Sequence, residues 1–99
     1  MKCFVNNCLN QATDTHEIFD GANRKNSIKY KLQVRVCRYC NCHRLSRSLE
    51  KYRLRQQICT KLGLDYDRLA FIMRKANRNW TEKEQEYMDN VKEVMNERE

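Results

Sequence analysis

Seven residues from Cys37 to His43, read CRYCNCH, hold three of the chain's six cysteines and one of its two histidines. Cys37 and Cys40 have two residues between them, the spacing at which one short turn offers two thiolates to a single tetrahedral zinc. Such a zinc needs a second pair of ligands, and Cys3 with Cys8 is the other closely spaced pair. Its four intervening residues lie at the wide end of the usual spacing. The expectation is a structural Zn²⁺ held by Cys3, Cys8, Cys37 and Cys40, tying the N-terminus to the middle of the chain. Cys42 is the alternative to Cys40 as fourth ligand. Disulfides are the competing reading, and they belong to oxidising compartments. Lys2 and Asn6–Asn7 interrupt any apolar run that would read as a secretory leader, so a reducing cytosol, and with it metal, is expected. Cys59 sits in a helical pattern with no thiol neighbour and is expected as a small buried core residue.

The elements that must position these groups follow from the hydrophobic pattern. ATDTHEIF, with Thr13, Thr15, Ile18 and Phe19, has strand character, and in a strand His16 and Glu17 point to opposite faces. Asp20 and Gly21 turn the chain, ANRKNS reads as a basic loop or short helical turn, and IKYKLQVRV alternates apolar residues from Ile28 to Val36. That period of two predicts a half-buried strand running into the second cysteine pair. Beyond His43 the period becomes helical. Leu45, Leu49, Tyr52, Leu54, Ile58 and Leu62 predict one helix with Gly63 as its terminator; Asp65 caps a second carrying Leu69, Ile72, Met73 and Ala76; Thr81 and Glu84 form a capping box for a third.

Ninety-nine residues are few for a large unaided core, which makes a metal staple physically sensible. No apolar run approaches the length of a membrane span, so no membrane partner is expected. Charge is unevenly distributed: through Trp80 there are 17 Lys and Arg against six Asp and Glu, and from Thr81 onward three against seven. The basic residues bracket the cysteine cluster, which points to a polyanionic partner, with DNA the leading expectation.

The ordered run ATDTHEIFDGANRKNSIKY, then LQVRVC, the cysteine-rich turn with its CH, and FIMRKANRNW resembles the small HNH endonucleases of phages and prophages. The resemblance covers roughly residues 3–80. It implies an α+β fold: a small zinc-stapled ββα-metal core followed by two or three helices, with residues 1–80 as the zinc domain; the acidic C-terminal helix expected over 81–99 lies outside the resemblance. It also implies a bacterial host cytoplasm, a catalytic Mg²⁺, Mn²⁺ or Zn²⁺ held by His16 and His43, and Glu17 at the position of the general base. Arg24, Lys25, Arg44 and Arg47 would approach DNA phosphates. The sequence departs from the family pattern at three places. Glu17 stands where a histidine is usual, Lys31 replaces a glycine before the second strand, and Asn41 follows the second cysteine directly, where the family often has its histidine. No third histidine exists.

Two functional classes follow from the resemblance. One is a metal-dependent DNA endonuclease hydrolysing phosphodiester bonds through His16, Glu17 and His43. The other is a catalytically degenerate zinc protein on the same scaffold, binding DNA or a host or phage protein as a regulator or inhibitor. A helix-turn-helix around Gly63 ranks behind both, because any two packed helices share that pattern.

Overall fold

The computed structural model describes residues 1–98. Its order is β1 (Asp14–Glu17), α1 (Arg24–Lys29), β2 (Gln33–Val36), α2 (Ser48–Lys61), α3 (Tyr66–Met73) and α4 (Glu82–Glu97). A π-helical turn over Cys40–Arg44 joins β2 to α2. The fold is a small α+β arrangement in which β1 and β2 pair antiparallel, with Asp14 opposite Val36 and His16 opposite Val34. The N-terminal loop seals onto this hairpin. The Phe4 N–H donates to the Arg35 carbonyl at 2.9 Å, and the Cys3 N–H to the Asn10 carbonyl at 2.8 Å. Asn7 turns that loop with φ +64°, a left-handed conformation that asparagine tolerates better than most residues.

The second strand is shorter than its alternating pattern predicts. Ile28 and Lys29 belong to α1, and only Gln33–Val36 pairs with β1. The cause is Ser27, fully buried, whose Oγ accepts from the Phe19 N–H at 3.0 Å and donates to the Phe19 carbonyl at 2.6 Å. That double bond holds a helical turn against the end of the first strand, and Lys31, at φ +58°, then reverses the chain into β2. A positive φ there explains why a glycine would suit this position.

Helix α2 ends as Gly63 predicts. The Leu64 N–H reaches the Cys59 carbonyl at 2.7 Å and the Gly63 N–H reaches the Thr60 carbonyl at 3.0 Å, the paired bonds of a Schellman motif with Gly63 at φ +80°. Its inward face keeps Leu54, Ile58 and Leu62 of the expected stripe but not Leu49 or Tyr52. Leu49 is 66 % exposed, while Leu54, Arg55, Ile58 and Cys59 are buried. Residues 45–47 break the helix after the π-turn, so the periodicity counted from Leu45 is out of phase with the helix that begins at Ser48.

Asp65 caps α3 by accepting from the Arg68 N–H at 3.2 Å, and the Thr81–Glu84 capping box is complete at the start of α4. Met88, Val91 and Met95 of α4 join the core formed by Leu62, Leu69, Ile72 and the strand residues Val34 and Val36. Glu84 is also held by Lys75, whose ammonium lies 3.0 Å away. The acidic segment expected over 81–99 is helical through Glu97; its last residue, Glu99, lies outside the described residues. Among the described residues no helix is long and apolar enough to cross a membrane.

Candidate metal centre and the His16 cleft

Cys37 leaves β2 and Cys40 opens the π-turn, so a short bend presents both sulfurs to the N-terminal loop that carries Cys3 and Cys8. The four Sγ atoms all lie within 4.8 Å of one another. Cys8 and Cys37 are 3.8 Å apart and Cys8 and Cys40 3.7 Å. Four sulfurs bonded to one zinc at about 2.3 Å stand about 3.8 Å from each other, so the cluster has the dimensions of a tetrahedral zinc–thiolate site. A disulfide, at about 2.05 Å between sulfurs, is far shorter, and all four thiols are free. The residues present therefore fit a structural metal ion.

The surroundings favour thiolate at one of them. Burial pushes the Cys37 thiol up, but the Cys40 N–H at 3.3 Å, the Asn10 amide at 3.6 Å and the neighbouring thiols outweigh it, bringing it down to about 6. Burial and the adjacent sulfurs drive Cys40 the other way. Cys3 is also raised, chiefly by burial. Cys42 is exposed and stands outside the cluster, so Cys40 is the fourth sulfur. Cys59 is fully buried in the core, and burial raises its thiol to about 12.

His16 is built differently. It sits on the inward face of β1, 7 % exposed, and both ring nitrogens are engaged. Arg55 of α2, itself 5 % exposed, donates its Nε–H to His16 Nε2 at 3.2 Å. Arginine has no acceptor, so Nε2 is the bare lone pair and the ring proton is on Nδ1. That proton faces Asn41 Oδ1 at 3.3 Å, and Asn41 in turn donates to Asp14 Oδ2 at 3.2 Å. Burial, reinforced by the Arg55 charge, lowers His16 to about 4, so the ring is neutral. The Arg55 guanidinium also binds the Glu17 carbonyl at 3.2 Å and Asp20 Oδ2 at 3.3 Å.

His16, Glu17, Asp20, Asn41 and Lys51 line an open cleft of about 400 Å³. Each carboxylate at or beside it has a cationic neighbour: Glu17 has Arg24 at 3.4 Å, Asp14 has Arg38 at 3.7 Å, and Asp20 has both Arg55 and Lys51. His43 is exposed and packs against Tyr39, ring centroids 5.1 Å apart. The residue of the turn that meets His16 is thus Asn41, two positions earlier, and residues two apart on a helical turn do not share a face. Lys25 and Arg47 are exposed, as is Arg24 despite its pairing, and Arg44 is half-buried with Glu50 at 3.8 Å. Among the described residues, the cysteine quartet is the one group of three or more His, Cys, Asp or Glu side chains brought together closely enough to hold a metal.

Sequence reasoning missed Asn41 and Arg55 as residues of the cleft. Asn41 had a signal, since it directly follows a cysteine expected to sit at the start of the turn. Arg55 had none, because an arginine among the other basic residues of α2 reads as a solvent-facing charge. No family model, no curated protein and no solved structure matches the chain.

Proposed function

We propose that this chain is a zinc-stapled, non-catalytic nucleic-acid-binding protein, built on an HNH-like scaffold whose cation position has been given over to an arginine. The observation that carries this reading is the Arg55–His16 bond. A neutral histidine that ligates a metal through one nitrogen carries its proton on the other, and that N–H needs an acceptor. Here Nε2 faces a donor, so a cation at Nδ1 would set N–H against N–H, and a cation at Nε2 would have to displace a buried guanidinium. The residues of the cleft as they stand therefore do not fit a catalytic cation. The guanidinium supplies, beside Asp20 and the Glu17 carbonyl, the positive charge that a metal would otherwise bring.

Nucleic acid as the partner is supported by the charge. The basic excess lies in residues 1–80, and Lys25, Arg35, Arg38 and Arg47 present exposed cations around the cysteine turn and strands. If binding neutralises about six phosphates, log K falls with log salt at a slope near −5 on duplex DNA and near −4 on a single strand. Fluorescence anisotropy with labelled DNA across a salt series measures this. Binding that ignores salt, or no binding, contradicts the reading.

The endonuclease reading keeps one observation in its favour: His16, Asn41 and Glu17 border the same open cleft. Plasmid incubated with the protein and Mg²⁺, Mn²⁺, Ni²⁺ or Zn²⁺ decides between the two. The proposal expects intact supercoiled DNA in every case. Nicking that EDTA stops and His16→Ala abolishes would establish the nuclease instead.

A further inference from the structure

Four of the five tyrosines are accounted for by packing. Tyr30 is buried beside Trp80, Tyr66 stacks on Phe19, Tyr52 meets Tyr66 edge-on and donates to Asp67, and Tyr87 lies under Arg68. Tyr39 is not. It is 60 % exposed, lies outside the core, and its ring contact is with His43. The two residues are four apart on the helical turn that follows Cys37, the spacing at which side chains lie side by side on one face. Arg38 is next to them with its side chain 79 % exposed, and Arg47 is exposed just beyond the turn.

We infer that Tyr39 and His43 form a stacking platform for an unpaired nucleotide base, and that the nucleic acid this chain binds is single-stranded. The inference rests on the nucleic-acid reading above and names its substrate class. Paired bases in a duplex spend their π faces on one another, so an exposed ring pair gains nothing from them beyond phosphate attraction. Bases of a single strand are free to stack on aromatic side chains, while adjacent arginines follow the backbone. The platform is also held in place. Cys37 and Cys40 flank Tyr39, and their sulfurs belong to the quartet, so a metal bound there fixes the turn that presents both rings. A platform already ordered before binding loses less freedom when a base arrives.

The test uses the full, metal-loaded chain with fluorescein-labelled oligothymidylate and oligouridylate of about 16 nucleotides, and a duplex of the same length. Tyr39→Ala is expected to weaken single-strand binding roughly 5- to 150-fold, the range for losing one base–aromatic stack, while duplex binding changes little. Tyr39→Trp should hold single-strand affinity within about threefold, since any aromatic face serves. The thymidylate and uridylate arms separate DNA from RNA, and the loss on either supports the platform. Metal content and thermal melting of Tyr39→Ala, expected to be unchanged at this exposed position, show that the fold is intact. Equal weakening on single strand and duplex, or no weakening on either single strand, overturns the inference. Binding of duplex alone overturns it while leaving the nucleic-acid reading in place; no binding to any of the three removes both.

Discussion

Two clusters of metal-ligating residue types lie a few residues apart in this fold, and they have been completed in opposite ways. In the quartet, four sulfurs converge to the edge length of a tetrahedron, with backbone and amide N–H groups aimed at Cys37. In the cleft, the lone pair of His16 is already taken by a guanidinium and every neighbouring carboxylate has its own cation. The first has the donor set and spacing that a metal ion needs; the second does not. Ligand types alone do not make a metal site. Where the lone pairs point, and what already occupies them, decides it.

The largest expected effect comes from emptying the quartet. A structural zinc contributes roughly 10–16 kcal/mol of apparent binding energy, against about 5–15 kcal/mol for the net stability of a whole domain. Cys37→Ser or a strong chelator should therefore abolish the cooperative thermal transition seen by circular dichroism. A sharp melt surviving in metal-free protein would show that the quartet does not hold the fold together. Next in size is Arg55→Met. It leaves His16 Nε2 and the Glu17 carbonyl without their charged donor, while the exposed Asp20 keeps Lys51, and should cost about 2–3 kcal/mol in chemical denaturation, with zinc content unchanged. A neutral effect would mean that the guanidinium is not the charge the cleft depends on.

The pH dependence sharpens the same point. His16 is lowered to about 4 in the folded chain by burial and by Arg55, against an ordinary value of about 6.5. Between those values the unfolded chain holds the extra proton, so stability is full above pH ~6.5 and falls as pH drops toward ~4, by on the order of 3 kcal/mol. Asp14 and Asp20 are lowered too, Asp14 mainly by its bonds to Thr13 and Asn41 and Asp20 by Arg55 against the effect of burial, and their losses begin at lower pH. His16→Gln should flatten the slope above pH ~5; an unchanged slope there would assign it to acid release of the metal. A smaller change, placed in neither cluster, serves as control. Ser27→Ala removes both bonds to Phe19 and should cost about 2 kcal/mol while leaving metal content and pH slope untouched.

The quartet was legible in the sequence because paired cysteines at short spacing have few uses, and spacing survives folding. The helix boundaries at Gly63, Asp65 and Thr81 were legible for a related reason, since caps are local chemistry. What could not be read was anything set by which way a side chain turns. Cys40 and Cys42 are equivalent on paper and separated only by exposure. Asn41 and His43 occupy one turn, yet Asn41 meets the buried histidine and His43 meets Tyr39. Arg55 looks like its exposed neighbour Arg53 until the break at residues 45–47 sets the phase of α2 and turns it inward. The strand read over residues 28–36 lost its first half to Ser27, whose paired bonds to a distant backbone have no trace in hydrophobic periodicity.

Metal in one of these clusters and arginine in the other is an assignment that the zinc coordination shell reports. Zinc K-edge X-ray absorption on the purified chain, with metal counted per molecule by native mass spectrometry, tests it most directly. One zinc per chain with four sulfur neighbours at about 2.3 Å, unchanged in His16→Ala, is the predicted result. A zinc shell containing imidazole nitrogen that disappears in His16→Ala, or a chain that binds no metal at all, would contradict it.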